Sequence, residues 1–114
     1  LANAVLNNLA PQRTPCSPPR VIQIVAEYYG LAAADLLGRS RTAPVAFARH
    51  VTMYLLREEN GLSLPAIGDQ LGGRDHTTVR HGVEKITLDL EQQESLRRDI
   101  SLLREKLYMA HAPV

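Results

Sequence analysis

Residues 72–79 read Gly-Gly-Arg-Asp-His-Thr-Thr-Val and bring a guanidinium, a carboxylate, an imidazole and two hydroxyls together from Arg74 to Thr78. Two kinds of chemistry use such a set. Asp75 and His76 could form an acid–base pair, but consecutive helical residues point about 100° apart, and neither a nucleophile nor a phosphate loop accompanies them. Alternatively, the same groups open a helix whose free N–H groups and partial positive charge suit a phosphate, while the short Thr77 allows close approach to base edges. Asp75 would then cap the helix or accept a hydrogen bond from a cytosine amino group, which also repels wrong bases. His76 and His81 miss the i,i+4 spacing of two zinc ligands on one helical face. The single cysteine, Cys16, excludes a disulfide framework and a multi-thiolate zinc site and is expected to be an incidental thiol. The chain is therefore expected to hold no metal and to be no enzyme.

Presenting such a helix requires a second one to support it. Ser63 as N-cap, with Pro65 in the first turn, opens a short helix through Ile67 and Leu71 to Gly72-Gly73. Asp75 caps the next, in which Val79, Val83, Ile86 and Leu90 recur as a buried stripe; Thr77, His81 and Glu84 face away, with Arg80 and Lys85 on the flanks. Residues 63–85 thus fit a helix-turn-helix, and by pattern alone they fit a plain packing hairpin equally well. Upstream, Ser17 and Pro18 start a helix that Gly30 stops. A short turn of helix covers Ala33 to Leu37, and a basic loop, Arg39 to Thr42, precedes a helix from Pro44 to Glu58. Projection of that helix gathers Val45, Ala48, Val51, Thr52, Leu55 and Leu56 as core, with Arg49, His50, Met53 and Arg57 as a basic edge. Leu96, Ile100, Leu103 and Leu107 stripe a last helix, expected to be a solvated face around its leucines.

Composition sets the frame. The 114 residues, 45% hydrophobic and 22% charged, suit one soluble domain. With four Tyr, one Phe and no Trp, the core must be built from Leu, Val, Ile and Ala, which favours an all-α fold. Tyr28 and Tyr29 are expected to pack at the core and its rim instead of stacking on single-stranded bases. No apolar run approaches the ~20 residues that cross a bilayer. Prolines 11, 15, 18 and 19 mark a linker, and Leu1, Val5, Leu6 and Leu9 before it suit a short amphipathic helix. The net charge of +1 hides an asymmetry: four arginines and no acid lie between Asp35 and Glu58, just before the helix pair. That block tips the helix pair towards nucleic acid.

The run Gly72-Gly-Arg-Asp-His-Thr-Thr-Val79, preceded by Leu62-Ser-Leu-Pro-Ala-Ile-Gly68 and followed by His81-Gly-Val-Glu-Lys-Ile86, closely resembles the DNA-binding domain of the DnaA family of bacterial replication initiators. The likeness continues upstream through Val25-Ala-Glu-Tyr-Tyr29, Asp35-Leu-Leu-Gly-Arg-Ser-Arg41 and Val45-Ala-Phe-Ala-Arg49, covering about residues 20–108. The resemblance implies a six-helix, Trp repressor-like helix-turn-helix domain over 20–110, after the end of an ATPase-domain lid and a linker over 1–19. It implies binding to double-stranded, A/T-rich, asymmetric origin boxes, with Asp75, His76 and Thr77 on base edges and Thr78 and Arg74 on phosphates or in orientation. Arg41 would enter the adjacent minor groove and Arg49 would face DNA. Arg57 stands where a base is usual, and Leu64 and Pro65 would make apolar contact. Such a domain is expected to act as a monomer in the cytoplasm at the nucleoid, without a cofactor; ATP and oligomerisation on the origin would belong to the full-length protein.

Some positions depart from the family pattern. His50 replaces a usual glutamine, Ala48 a usual proline, and Ala43 and Pro44 thin the basic loop. Facing DNA beside Arg49 and Arg57, His50 is expected to take up a proton on binding. A helix-turn-helix transcription regulator is the alternative function, and a protein-interaction module using the last helix is a third.

Overall fold

The computed structural model describes residues 14–109, so the expected amphipathic segment at Leu1 to Leu9 and the start of the proline-rich stretch lie outside the described residues. Six α-helices and no strand are found among the described residues: α1 (Pro18–Tyr28), α2 (Ala33–Leu37), α3 (Ala43–Glu58), α4 (Leu64–Gln70), α5 (His76–Gln92) and α6 (Glu94–Met109). Their starts follow local chemistry. Ser63 Oγ accepts from Ala66 N–H at 3.2 Å, and Asp75 Oδ2 from Thr77 N–H at 2.9 Å, satisfying donors that the helices cannot. Ser17 is the N-cap of α1 by backbone geometry alone, since its hydroxyl makes no capping bond.

The architecture is organised around α3, which packs against α1, α2, α4 and α5. Every residue from Val51 to Leu56 on it is buried, the pattern of a helix surrounded by others. Thr52 satisfies its buried hydroxyl by donating to Ala48 C=O at 2.9 Å. This corrects the expected basic edge. Met53 and Arg49 are 1% and 6% exposed, His50 is half-buried, and Arg57 alone of the four is open. For Met53 and His50 the cause is α5, which crosses that flank at Gly82: a Cβ there would lie 2.5 Å from Met53 Sδ and 2.9 Å from His50 Cδ2.

The α6 stripe is buried as expected, each of Leu96, Ile100, Leu103 and Leu107 being worth about 1.5–3 kcal/mol when removed from water. Polar ties fix its orientation. Tyr28 and Tyr29 donate to the two oxygens of Asp99 at 2.7 and 3.4 Å, and the accepting carboxylate, with burial, pushes the Tyr28 phenol up to about 12. Glu59, just past α3, accepts from Arg104 Nε at 2.6 Å and from Tyr108 at 2.8 Å. Packing reaches back into the proline-rich segment: Cys16 is buried, its N–H donates to Leu107 C=O at 3.1 Å, and its carbonyl accepts from Asn60 at 3.0 Å. Burial pushes the Cys16 thiol up, which suppresses the reactive thiolate.

The turn between α4 and α5 depends on glycine. Gly72 and Gly73 have φ of 75° and 78°, a region that costs other residues about 1–2 kcal/mol each. Gly68 C=O accepts from the N–H groups of Leu71, Gly73 and Arg74, drawing the turn so tightly that a Cβ on Gly68 would lie 2.0 Å from Arg74 O.

Two predictions follow from this packing. Gly68→Ala meets backbone that cannot yield and should lose about 3 kcal/mol or more in urea unfolding, whereas Gly82→Ala meets the movable ends of Met53 and His50 and should lose less; the reverse order would contradict the turn geometry. Burial, then Lys85 and Arg49, outweigh Asp89 and hold the His50 imidazole below its usual range. The unfolded chain therefore binds more protons there, so stability is complete above the unfolded pKa of about 6.5 and falls as pH drops through it. Unfolding followed from pH 7.5 to 5.5 should show this loss, and His50→Gln should reduce it.

Candidate nucleic-acid interface

Helix α2 is only five residues long, so its C-terminal carbonyls need partners from elsewhere. Arg49, from the middle of α3, supplies them. Its Nε donates to Leu36 C=O at 2.9 Å, Nη1 to Ser40 C=O at 3.1 Å, and Nη2 to Asp35 and Gly38 C=O at 3.0 and 3.4 Å. Arg74, at the end of the α4–α5 turn, donates to Leu71 C=O and to the same Gly38 carbonyl. Two guanidinium groups thus bind the end of α2 and the start of the basic loop to the front of α5. Burial pulls both below their ordinary range, and for Arg74 the nearby Arg49 and Arg39 act in the same direction. Arginine nevertheless stays charged at neutral pH.

The result is a polar cleft of about 360 Å³ lined by Arg39, Ser40 and Arg41 of the loop, Arg49, Gly73 and Arg74 beneath, and Asp75 and Thr78 of α5. Four arginines against one carboxylate make it a strongly positive recess that suits a phosphate backbone. Asp75 caps α5 through Oδ2, while Oδ1 lies 3.7 Å from His76 Nδ1. The N–H of Thr77, followed by burial acting in the opposite sense, sets the Asp75 carboxyl below its usual range. The helix is thereby capped with one carboxylate oxygen left outward.

The structure brings Arg41, Arg49, Arg74, Asp75 and Thr78 to this cleft, with His76 exposed and Thr77 half-buried on the adjoining turn of α5. It does not bring His50 there: that side chain sits in the α3–α5 seam, towards Lys85 and Asp89. Arg57 is exposed and donates to Leu62 C=O at 3.0 Å. Leu64 packs partly against the core, whereas Pro65 is exposed on the first turn of α4. Arg39 also lines the cleft, although sequence reasoning gave it no more than membership of the basic loop. Its signal was its place in that acid-free block. No described helix is long and apolar enough to cross a membrane.

Comparison with known proteins identifies the family of the helix pair. Residues 18–86 match the model of the bacterial DnaA protein helix-turn-helix. The chain is 45% identical over 103 residues to the chromosomal replication initiator protein DnaA of Thermomicrobium roseum, covering 90% of this chain and 22% of that protein. It is 49% identical over 92 residues to that of Herpetosiphon aurantiacus, covering 81% and 20%. A crystal structure of a DNA replication initiation factor superposes with a TM-score of 0.73 at 25% identity, covering 83% of this chain and 29% of that one. The chain thus spans about a fifth of the length of the curated relatives it matches. It belongs to the bacterial DnaA family, and its six helices are that family's helix-turn-helix DNA-binding domain.

Proposed function

We propose that this domain recognises short, asymmetric, A/T-rich boxes of a bacterial replication origin as a single copy, with the front of α5 in the major groove and the basic loop in the adjacent minor groove. The observation that carries the proposal is the cleft, in which Arg49 and Arg74 are engaged by carbonyls while Arg39 and Arg41 have no partner among the described residues and stand free for DNA. Asp75, His76 and Thr77 read base edges; Asp75 uses the oxygen left over from capping to accept from an amino group. Thr78 and the helix N-terminus meet a phosphate. Arg41 enters the minor groove, where A/T sequence deepens the negative potential. Arg57, Leu64, Pro65 and the exposed side of His50 complete the contact surface, while Arg49 and Arg74 act by holding the loop in place. Any ATP chemistry and oligomerisation of a full-length initiator belong to other parts of such a protein, working at the nucleoid.

Base readout and backbone anchoring should separate by mutation. Titrated against a duplex that footprints in the host's origin region and against a scrambled duplex, His76→Ala should lose about 1–3 kcal/mol on the first alone. Arg57→Ala should weaken both alike. Wild-type affinity should fall steeply with salt, each neutralised phosphate contributing about −0.9 to the slope of log affinity against log salt, at one chain per box. A flat salt response, two chains per box, or equal losses for His76→Ala on both duplexes would overturn the assignment.

A further inference from the structure

Most cations of residues 14–109 are held by partners: Arg49 and Arg74 by carbonyls, Lys85 by Asp89 at 3.6 Å, and Arg104 by Glu59. Arg39, Arg41, Arg80 and Lys106 have none among the described residues. Lys106 lies at the far end of α6, beside Arg20 and Tyr28, and Arg39 and Arg41 line the cleft. Arg80 stands apart from both. It is exposed on α5, one turn beyond His76, and forms no ion pair with Glu84 despite the i,i+4 spacing that would allow one.

Its place around α5 is fixed by neighbouring contacts. Thr78 lines the cleft, Gly82 touches α3, and Lys85 and Asp89 lie near His50, so one flank of α5 is turned towards α3 and the basic loop. At about 100° per residue, Arg80 projects roughly 160° from Thr78, on the opposite flank with His76 and Thr87. A recognition helix lying in a major groove has one phosphate strand along each of its flanks.

Resting on the DNA-binding reading above, we infer that Arg80 is a further DNA contact, gripping a phosphate of the strand opposite the one approached by the Arg39–Arg41 loop. A single domain then holds both backbones of the groove. Thr77, between the flanks, is left to the bases.

The test uses the whole chain and a duplex selected by it from random sequence, with a scrambled duplex of the same composition. Arg80→Ala should weaken binding to both duplexes about 5- to 10-fold at 0.1 M salt and reduce the salt slope by about 0.9. Arg80→Lys should keep the slope, and thermal unfolding of both variants should match the wild type, because the exposed side chain holds nothing in the fold. Unchanged affinity and slope in Arg80→Ala, while the wild type binds, would overturn this inference and leave the DNA-binding reading intact. A loss on the selected duplex alone, with the slope unchanged, would also overturn it by moving Arg80 to a base edge. If the wild type selects no duplex, the DNA-binding reading fails and this inference with it.

Discussion

The carbonyl oxygen of Gly38 is where the arginine-lined cleft is held together. It ends a helix too short to satisfy its own carbonyls, and it receives both Arg49 from the centre of α3 and Arg74 from the α4–α5 turn. Burying two cations carries a large desolvation cost, which several backbone hydrogen bonds per guanidinium offset here. Because those donors come from different elements, the loop, the core helix and the recognition helix are located relative to one another by one polar joint. Apolar packing alone would leave the loop free to slide, since hydrophobic contact has no direction.

A second joint lies one turn further along α3. At Gly82, α5 rests directly on Met53 and His50 of α3, so the recognition helix is supported along its length by the most buried helix of the fold. His50 is therefore a structural neighbour of the recognition helix, half-buried in the α3–α5 seam. Burial in that seam, more than the Lys85 and Arg49 charges beside it, disfavours its charged form.

The positive charges accordingly divide into two populations. Some arginines build the cleft by binding carbonyls, and others on it have no partner among the described residues, which is what a polyanion needs. The proline-rich entry and α6 are fastened to the body of the domain by Cys16, Asp99 and Glu59.

Local sequence accounts for the elements and for the chemistry of the recognition helix. Ser63 and Asp75 cap where short polar side chains precede apolar periodicity, Gly72-Gly73 turns where the backbone takes positive φ, and the α6 leucines bury at helical spacing; each effect acts within a few residues and is legible locally. The acid-free arginine block and the Gly-Arg-Asp-His-Thr-Thr run were equally plain. Which of those cations is exposed depends instead on packing between distant elements. Arg41 and Arg49 are alike in sequence and share one basic block, yet the first is exposed and the second is 6% exposed with its donors occupied by carbonyls. That difference, like the covering of Met53 and His50, depends on how α2 and α5 pack across α3. Such contacts join residues distant in the chain, and helical projection of α3 on its own cannot show which of its flanks a neighbour will cover.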